Sequence, residues 1–157
     1  MNAFEIATEA IKKFEGFVPH PYMDGGGRYT IGYGTTVYPT GHKVTKNDKN
    51  ITEATATYYL CVHLTGLERE LGKMTNWDML NKNQMAALLS LAYNVGCRDI
   101  ENGNIAVCLA RKEFDKVPNT ILQYNKKHVN GKLRVDKGLM NRRKAEVKLY
   151  NTPIESV

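Results

Sequence analysis

Residues 15–36 read EGFVPHPYMDGGGRYTIGYGTT. The stretch holds six of the chain's thirteen glycines, four aromatic residues, one glutamate and one aspartate. Pro19, Pro21 and the triple glycine at 25–27 punctuate short apolar alternations, the pattern of a small antiparallel sheet with tight turns. Strand alternation in RYTIGYG (28–34) puts Tyr29, Ile31 and Tyr33 on one face and Arg28, Thr30, Gly32 and Gly34 on the other. The aromatic face can pack on a core. The opposite face then carries one hydroxyl and two positions without side chains, leaving room for a bulky ligand. A plain hairpin with glycines at bulges would read the same way.

Outward from this stretch the chain is helical. Phe4, Ala7, Ile11 and Phe14 recur at helical spacing over residues 2–14, and Gly16 is a stop signal. From Thr52 the helical pattern is expected to run to the end. TEATATYYLCVHLTGLEREL (52–71) makes one long helix with a Thr N-cap, and NKNQMAALLSLAYNVG (81–96) opens on an Asn81/Gln84 capping box and closes on Gly96. Shorter helices are expected near 103–116, 119–128 and 138–150. The class is α+β. A single domain over residues 1–157 has a β-rich lobe at about 15–50 and a helical lobe from 1–14 and 52–157, with a ligand cleft expected between them.

Composition agrees with an ordinary domain. The 157 residues are 42% apolar and 24% charged, neither disordered nor membrane-like. The longest nearly uncharged apolar run, MAALLSLAYNVGC, is too short to cross a bilayer and reads as a buried helix. The N-terminus has no apolar signal region or cleavage site, so a cytoplasmic protein is expected. Cys61, Cys97 and Cys108 form no CxxC pair and read as thiols in a reducing compartment. The net charge of +6 is uneven: residues 111–148 hold twelve Lys/Arg against four Asp/Glu. Such a surface suits an anionic polymer, lipid or nucleic acid, and charge alone does not choose among them.

Two carboxylates carry the candidate chemistry. On a wheel with Phe4 at 0°, Glu15 falls at about 20°, on the apolar face, while Glu5 and Glu9 fall at about 100° and 140°. Glu15 also ends its helix, where the dipole disfavours negative charge. Both effects would favour a protonated carboxyl able to act as a general acid. A solvated glutamate at a fraying helix end is the other reading. Asp24 precedes the triple glycine. It is either a turn residue bonded to nearby N–H groups or a carboxylate held ionised beside a cleft. Two carboxylates in contrasting environments are the working pair of a glycosidase. In the last helix, Arg142 shares the apolar face with Leu139 and needs a partner there. Glu146 is the local candidate by i,i+4 spacing, and Glu15 is the other. His20, His42, His63 and His128 form no motif.

The order Glu15, Asp24, Thr30, set in FEGF and PYMDGGGRYTIGYGTT, resembles the phage-type lysozymes, the endolysins of tailed phages. NQMAALLSLAYNVG, KEFDKV and GLMNRRKAEVKLY resemble the family's later helices, so the likeness covers nearly the whole chain. The resemblance implies a lysozyme-like fold and hydrolysis of the β-1,4 bond between N-acetylmuramic acid and N-acetylglucosamine in peptidoglycan. It implies Glu15 as the acid, and Asp24 with Thr30 as stabiliser and water holder. Asn94 and Arg142 fit positions that contact the sugar or support the catalytic glutamate in relatives, and Gly32 and Tyr33 are further supporting or substrate-binding candidates. No metal or cofactor is implied. The partner is peptidoglycan, with no nucleic acid and no stable membrane insertion. The protein is expected to be a monomer that waits in the host cytoplasm for a holin or another release route. NGNIAV (102–107) and Tyr124 stand where relatives often carry a Ser/Thr pair and a tryptophan, which bears on the outer sugar subsites. A secreted effector, a lytic transglycosylase, a non-catalytic wall binder and a basic nucleic-acid binder are the rival readings.

Overall fold

The computed structural model describes residues 1–154. The chain divides into two compact units, one of residues 8–66 and one of residues 1–7 with 67 onward, so both boundaries fall inside helices.

Unit 8–66 begins with most of α1 (Ala3–Glu15). Gly16 ends that helix with φ +68° and an N–H bond to the Lys12 carbonyl at 3.0 Å, as a left-handed stop requires. Strands β1 (Val18–Met23) and β2 (Tyr29–Gly32) pair antiparallel, with Tyr22 opposite Thr30 and Met23 opposite Tyr29. The register is irregular between Val18 and Tyr22, where Pro19 and Pro21 cannot donate to a ladder. After β2 the chain folds straight back, and Ile31 and Thr35 exchange both backbone bonds at 2.9 Å. A further bridge joins Val37 to Lys43. The helix α2 (Glu53–Leu71) follows, and the Thr52 hydroxyl accepts from the Thr55 N–H at 3.2 Å as expected of its N-cap. Ile11, Ile31, Val44, Ala56, Leu60 and Leu64 form the core of this unit.

The second unit centres on α3 (Lys82–Val95), whose residues 86–92 are all buried. The Asn81/Gln84 capping box is present in both directions, at 2.8 and 2.9 Å. Short helices α4 (Cys97–Glu101), α5 (Asn104–Ala110) and α6 (Val117–Leu122) follow, and α7 (Lys137–Tyr150) packs on α3. The Asp136 side chain caps α7 by accepting from Leu139 N–H at 2.9 Å.

The expectation of helix throughout the C-terminal two-thirds fails in this unit. Residues 126–135 are a hairpin, β3 (Lys126–Val129) and β4 (Lys132–Val135). Its turn is Asn130–Gly131 with φ +52° and +77°. An Asn-Gly pair supplies the two positive φ values that a tight hairpin turn demands, and the alternating KLRV flank adds to the signal. The helix expected at 103–116 also breaks. It stops at Ala110, and Lys112 turns to φ +57°.

Candidate active site

Glu15 is the last residue of α1 and is half-buried, whereas Glu5 and Glu9 are exposed. The wheel's assignment of one inward acid therefore holds. The space its carboxyl occupies is kept by a glycine. A Cβ at position 34 would lie 2.6 Å from Glu15 Oε1 and 3.0 Å from its Cδ, and Gly34 itself has φ +79°. The turn after β2 thus needs glycine twice over, for its backbone angle and for the neighbouring carboxyl.

Asp24 sits at the tip of the β1–β2 turn, its side chain 27% exposed. Its Oδ1 accepts from the N–H groups of Gly26 and Arg28, both at 2.9 Å. The Arg28 guanidinium stands 3.9 Å from Oδ2. Together these hold the carboxyl below its ordinary value of 3.8, with the Arg28 N–H as the largest cause and burial opposing it. The two readings of Asp24 converge here, because the turn is what keeps the carboxylate ionised.

Thr30 lies on β2 and is buried, 4% exposed, its hydroxyl donating to the Arg28 carbonyl at 3.3 Å. That hydroxyl also contributes to holding Asp24 ionised. Directly across the strand pair is Tyr22, so the two side chains share a face. Burial pushes the Tyr22 phenol up, and the negative charges of Glu15 and Asp24 push it further. Both acids therefore act on one phenol. Tyr22 was not among the candidates read from the sequence, because choosing it requires the register, which the irregularity after Val18 shifts.

At Gly32 and Gly34 the face opposite the aromatics is not open for a ligand, contrary to the alternation reading. A Cβ at Gly32 would meet Ala56 Cβ at 3.0 Å and Ile51 Cδ1 at 3.2 Å, so α2 and the loop before it fill that side. Gly34's space belongs to Glu15. The alternation also overruns its strand, since β2 ends at Gly32 and Tyr33 is in the turn. Tyr33 is buried, its ring 5.8 Å from that of Phe17 and 5.5 Å from the Lys12 ammonium.

Asn94 and Arg142 belong to the other unit. Arg142 Nε bonds Glu146 Oε2 at 3.3 Å, the i,i+4 pair, and its Nη2 donates to the Ser90 carbonyl at 3.1 Å. Glu146 is buried, pairs with Arg143 at an Nε–Oε1 distance of 2.7 Å, and at Oε2 accepts from Arg143 Nη2 at 3.2 Å and from the Ser90 hydroxyl at 2.6 Å. Arg143, fully buried, donates from Nη1 to Asn94 Oδ1 at 2.9 Å and so fixes the exposed Asn94 amide. Arg143 was missed in the sequence, although with Leu139 at 0° it falls at about 40° on the same apolar face.

Among the described residues no group of three or more His, Cys, Asp and Glu side chains could hold a metal ion, and no helix is long and apolar enough to cross a membrane. Cys61, Cys97 and Cys108 are free thiols, and burial, with Glu101 and Glu70 adding, pushes Cys97 up to about 11.

Residues 12–146 match the phage lysozyme family. The chain is 28% identical to an endolysin of Acyrthosiphon pisum secondary endosymbiont phage 1, over 97% of this chain and 99% of the relative. It is 31% identical to a SAR-endolysin of Haemophilus phage HP1, over 89% of this chain and 76% of that one. Among solved structures, the endolysin from Escherichia coli O157:H7 phage FAHEc1 is similar with a TM-score of 0.88 and 27% identity, covering 100% of this chain and 98% of its own.

Proposed function

This chain belongs to the phage lysozyme family, and from that premise we propose that Glu15, Asp24 and Thr30 are its hydrolytic set. The enzyme is a muramidase-type glycoside hydrolase that cleaves the glycan of peptidoglycan for cell lysis. In the proposed mechanism Glu15 gives its proton to the glycosidic oxygen as the bond breaks. Asp24, ionised by its turn, stabilises the positive charge that develops on the sugar ring and, with Thr30, holds the attacking water. Asn94 and Arg142 are supporting positions by resemblance to relatives.

The observation that carries this reading is that one short segment seats all three groups: the β1–β2 turn holds the Asp24 carboxylate on the Gly26 and Arg28 N–H groups, Thr30 is buried on β2, and the bare Gly34 leaves room for the Glu15 carboxyl. Its test is Glu15→Gln. The variant should keep the fold and lose lysis of permeabilised Gram-negative cells, and full residual lysis would overturn the assignment. A second carboxylate held ionised favours hydrolysis over transglycosylation. Products should therefore carry a reducing end, and an anhydro sugar would reverse that choice. Action as a monomer, and a wait in the host cytoplasm for a holin or another release route, are part of the same proposal and rest on the family.

A further inference from the structure

The loop from Tyr38 to Ile51 and the first turns of α2, all within unit 8–66, enclose a wide-mouthed cavity of about 590 Å³. That size lies inside the range of roughly 300–1,000 Å³ typical of small-ligand sites. Tyr38, Tyr58 and Tyr59 line it, with Asn47, Asp48 and Asn50 among its polar groups. The rings form a chain: Tyr38 meets Tyr59 edge-on at 5.4 Å, and Tyr59 meets Tyr58 at 6.1 Å. Adjacent residues on a helix point about 100° apart, so α2 cannot bury both of its tyrosines against one core. Tyr59 packs against Tyr38, while Tyr58 remains 59% exposed at the cavity.

On the polar side Asp48 is fixed in place. Asp48 Oδ2 accepts from the Tyr38 hydroxyl at 2.6 Å and the Thr45 N–H at 2.9 Å, and Oδ1 accepts from the Thr45 hydroxyl at 2.5 Å. These bonds hold Asp48 below its ordinary range, with the Thr45 hydroxyl the largest cause, and burial with Asp48 drives the Tyr38 phenol well up. The loop backbone is tied as well, by Tyr38 N–H to the His42 carbonyl at 2.8 Å and Ile51 N–H to the Pro19 carbonyl at 2.9 Å. A site so constrained loses little freedom when a ligand binds.

An exposed aromatic face beside amides and a carboxylate matches the two aspects of a pyranose, an apolar C–H face and a rim of hydroxyl and acetamido groups. We propose that this cavity is a second glycan-binding site, in which Tyr58 stacks on a 2-acetamido sugar ring of the wall polymer and Asn47, Asp48 and Asn50 bond its polar rim. The identity of the polymer rests on the wall-hydrolase reading above. The site lies apart from the proposed hydrolytic residues in the sequence, and it would hold the enzyme on an insoluble substrate between cuts.

The test measures binding without cleavage, in the Glu15→Gln chain, to purified peptidoglycan sacculi and to a soluble N-acetylglucosamine tetramer. Adding Tyr58→Ala, at an exposed position, should weaken both affinities roughly tenfold, as loss of an aromatic anchor does. Asn50→Ala should weaken both in the same direction. On the Glu15-intact background, Tyr58→Ala should raise KM on sacculi and leave kcat unchanged. Unchanged affinity in Tyr58→Ala overturns the proposal. So does a loss on sacculi alone, because the acetamido sugar would then not be the ligand. Failure of the hydrolytic assignment would show instead as lysis of sacculi by Glu15→Gln in a separate turbidity assay, a result distinct from unchanged affinity in Tyr58→Ala.

Discussion

Gly34→Ala separates the cost of a backbone angle from the cost of moving a carboxylate. The methyl would stand 2.6 Å from Glu15 Oε1, and ordinary contact begins near 3.4 Å, so the carboxyl must retreat by about 0.8 Å. Its side chain is flexible and can do so, which makes the steric part cheap for stability. The backbone part is the positive φ of +79°, which costs an L-residue about 1–2 kcal/mol. Unfolding in urea should therefore fall by that amount alone. Activity should fall much further, because misplacing a reacting group by about 1 Å costs on the order of 10²-fold.

Two other glycines serve as controls. Gly41 has φ +93° with nothing within 4 Å of a Cβ, so Gly41→Ala should lose similar stability and keep its activity. Gly32 has φ +67°, but its Cβ would press on Ala56 and Ile51. Gly32→Ala should lose more stability than Gly41→Ala and less activity than Gly34→Ala. The measurements are urea midpoints and the rate of turbidity loss on purified sacculi. Equal activity in Gly34→Ala and Gly41→Ala would refute the idea that position 34 is kept bare for Glu15.

Asp24 carries a pH signature: its folded pKa lies below 3.8, so its contribution to stability is present above that value and is lost as pH falls from there through the folded value. Asp24→Asn keeps an acceptor for the turn, so its urea midpoint should fall less than the parent's across that acid window, while its lysis rate drops roughly 10²–10³-fold. The Tyr22 phenol is raised by burial and by the charges of Glu15 and Asp24, so in Glu15→Gln and in Asp24→Asn it should titrate at lower pH, read by NMR of labelled tyrosine; no change in either would separate the two acids. Glu146→Ala leaves the buried Arg143 without its carboxylate, at a cost of about 3–5 kcal/mol, so Tm should fall by roughly 6–20 °C for a chain of this size, and an unchanged Tm would show that the cluster is not needed for the fold.

What the sequence reveals follows how local each cause is. The inward aim of Glu15 depends on one helix repeat, and a wheel finds it. The Asn81/Gln84 box and the Thr52 cap span three residues each and are equally visible. The hairpin at 126–135 is missed although its cue is as local, because a dense run of lysines masks the alternation beside Asn130–Gly131. Arg143 is missed for a different reason. The sequence reading gives the apolar face of the last helix one inward cation, Arg142, yet both arginines are buried around Glu146. Tyr22 could not be chosen from its strand at all, since its pairing with Thr30 depends on how the chain accommodates Pro19 and Pro21.

The glycines of residues 25–34 mislead for a different reason. Empty side-chain positions in a sequence look like space for a ligand, but the fold fills two of them with its own atoms, Ala56 and Ile51 at Gly32 and the Glu15 carboxyl at Gly34. The same economy explains how Asp24 is kept charged. Its ion pair with Arg28 is long, at 3.9 Å, and the arginine side chain is 73% exposed, so that contact is worth about 0–1 kcal/mol and is screened by salt. The N–H groups of Gly26 and Arg28 cannot swing away, because the turn that positions them is the chain itself. Backbone donors thus set the charge of Asp24, and a bare backbone position sets the place of Glu15. That is why one short stretch can be rich in glycine and poor in charge, and still hold both acids of the proposed reaction.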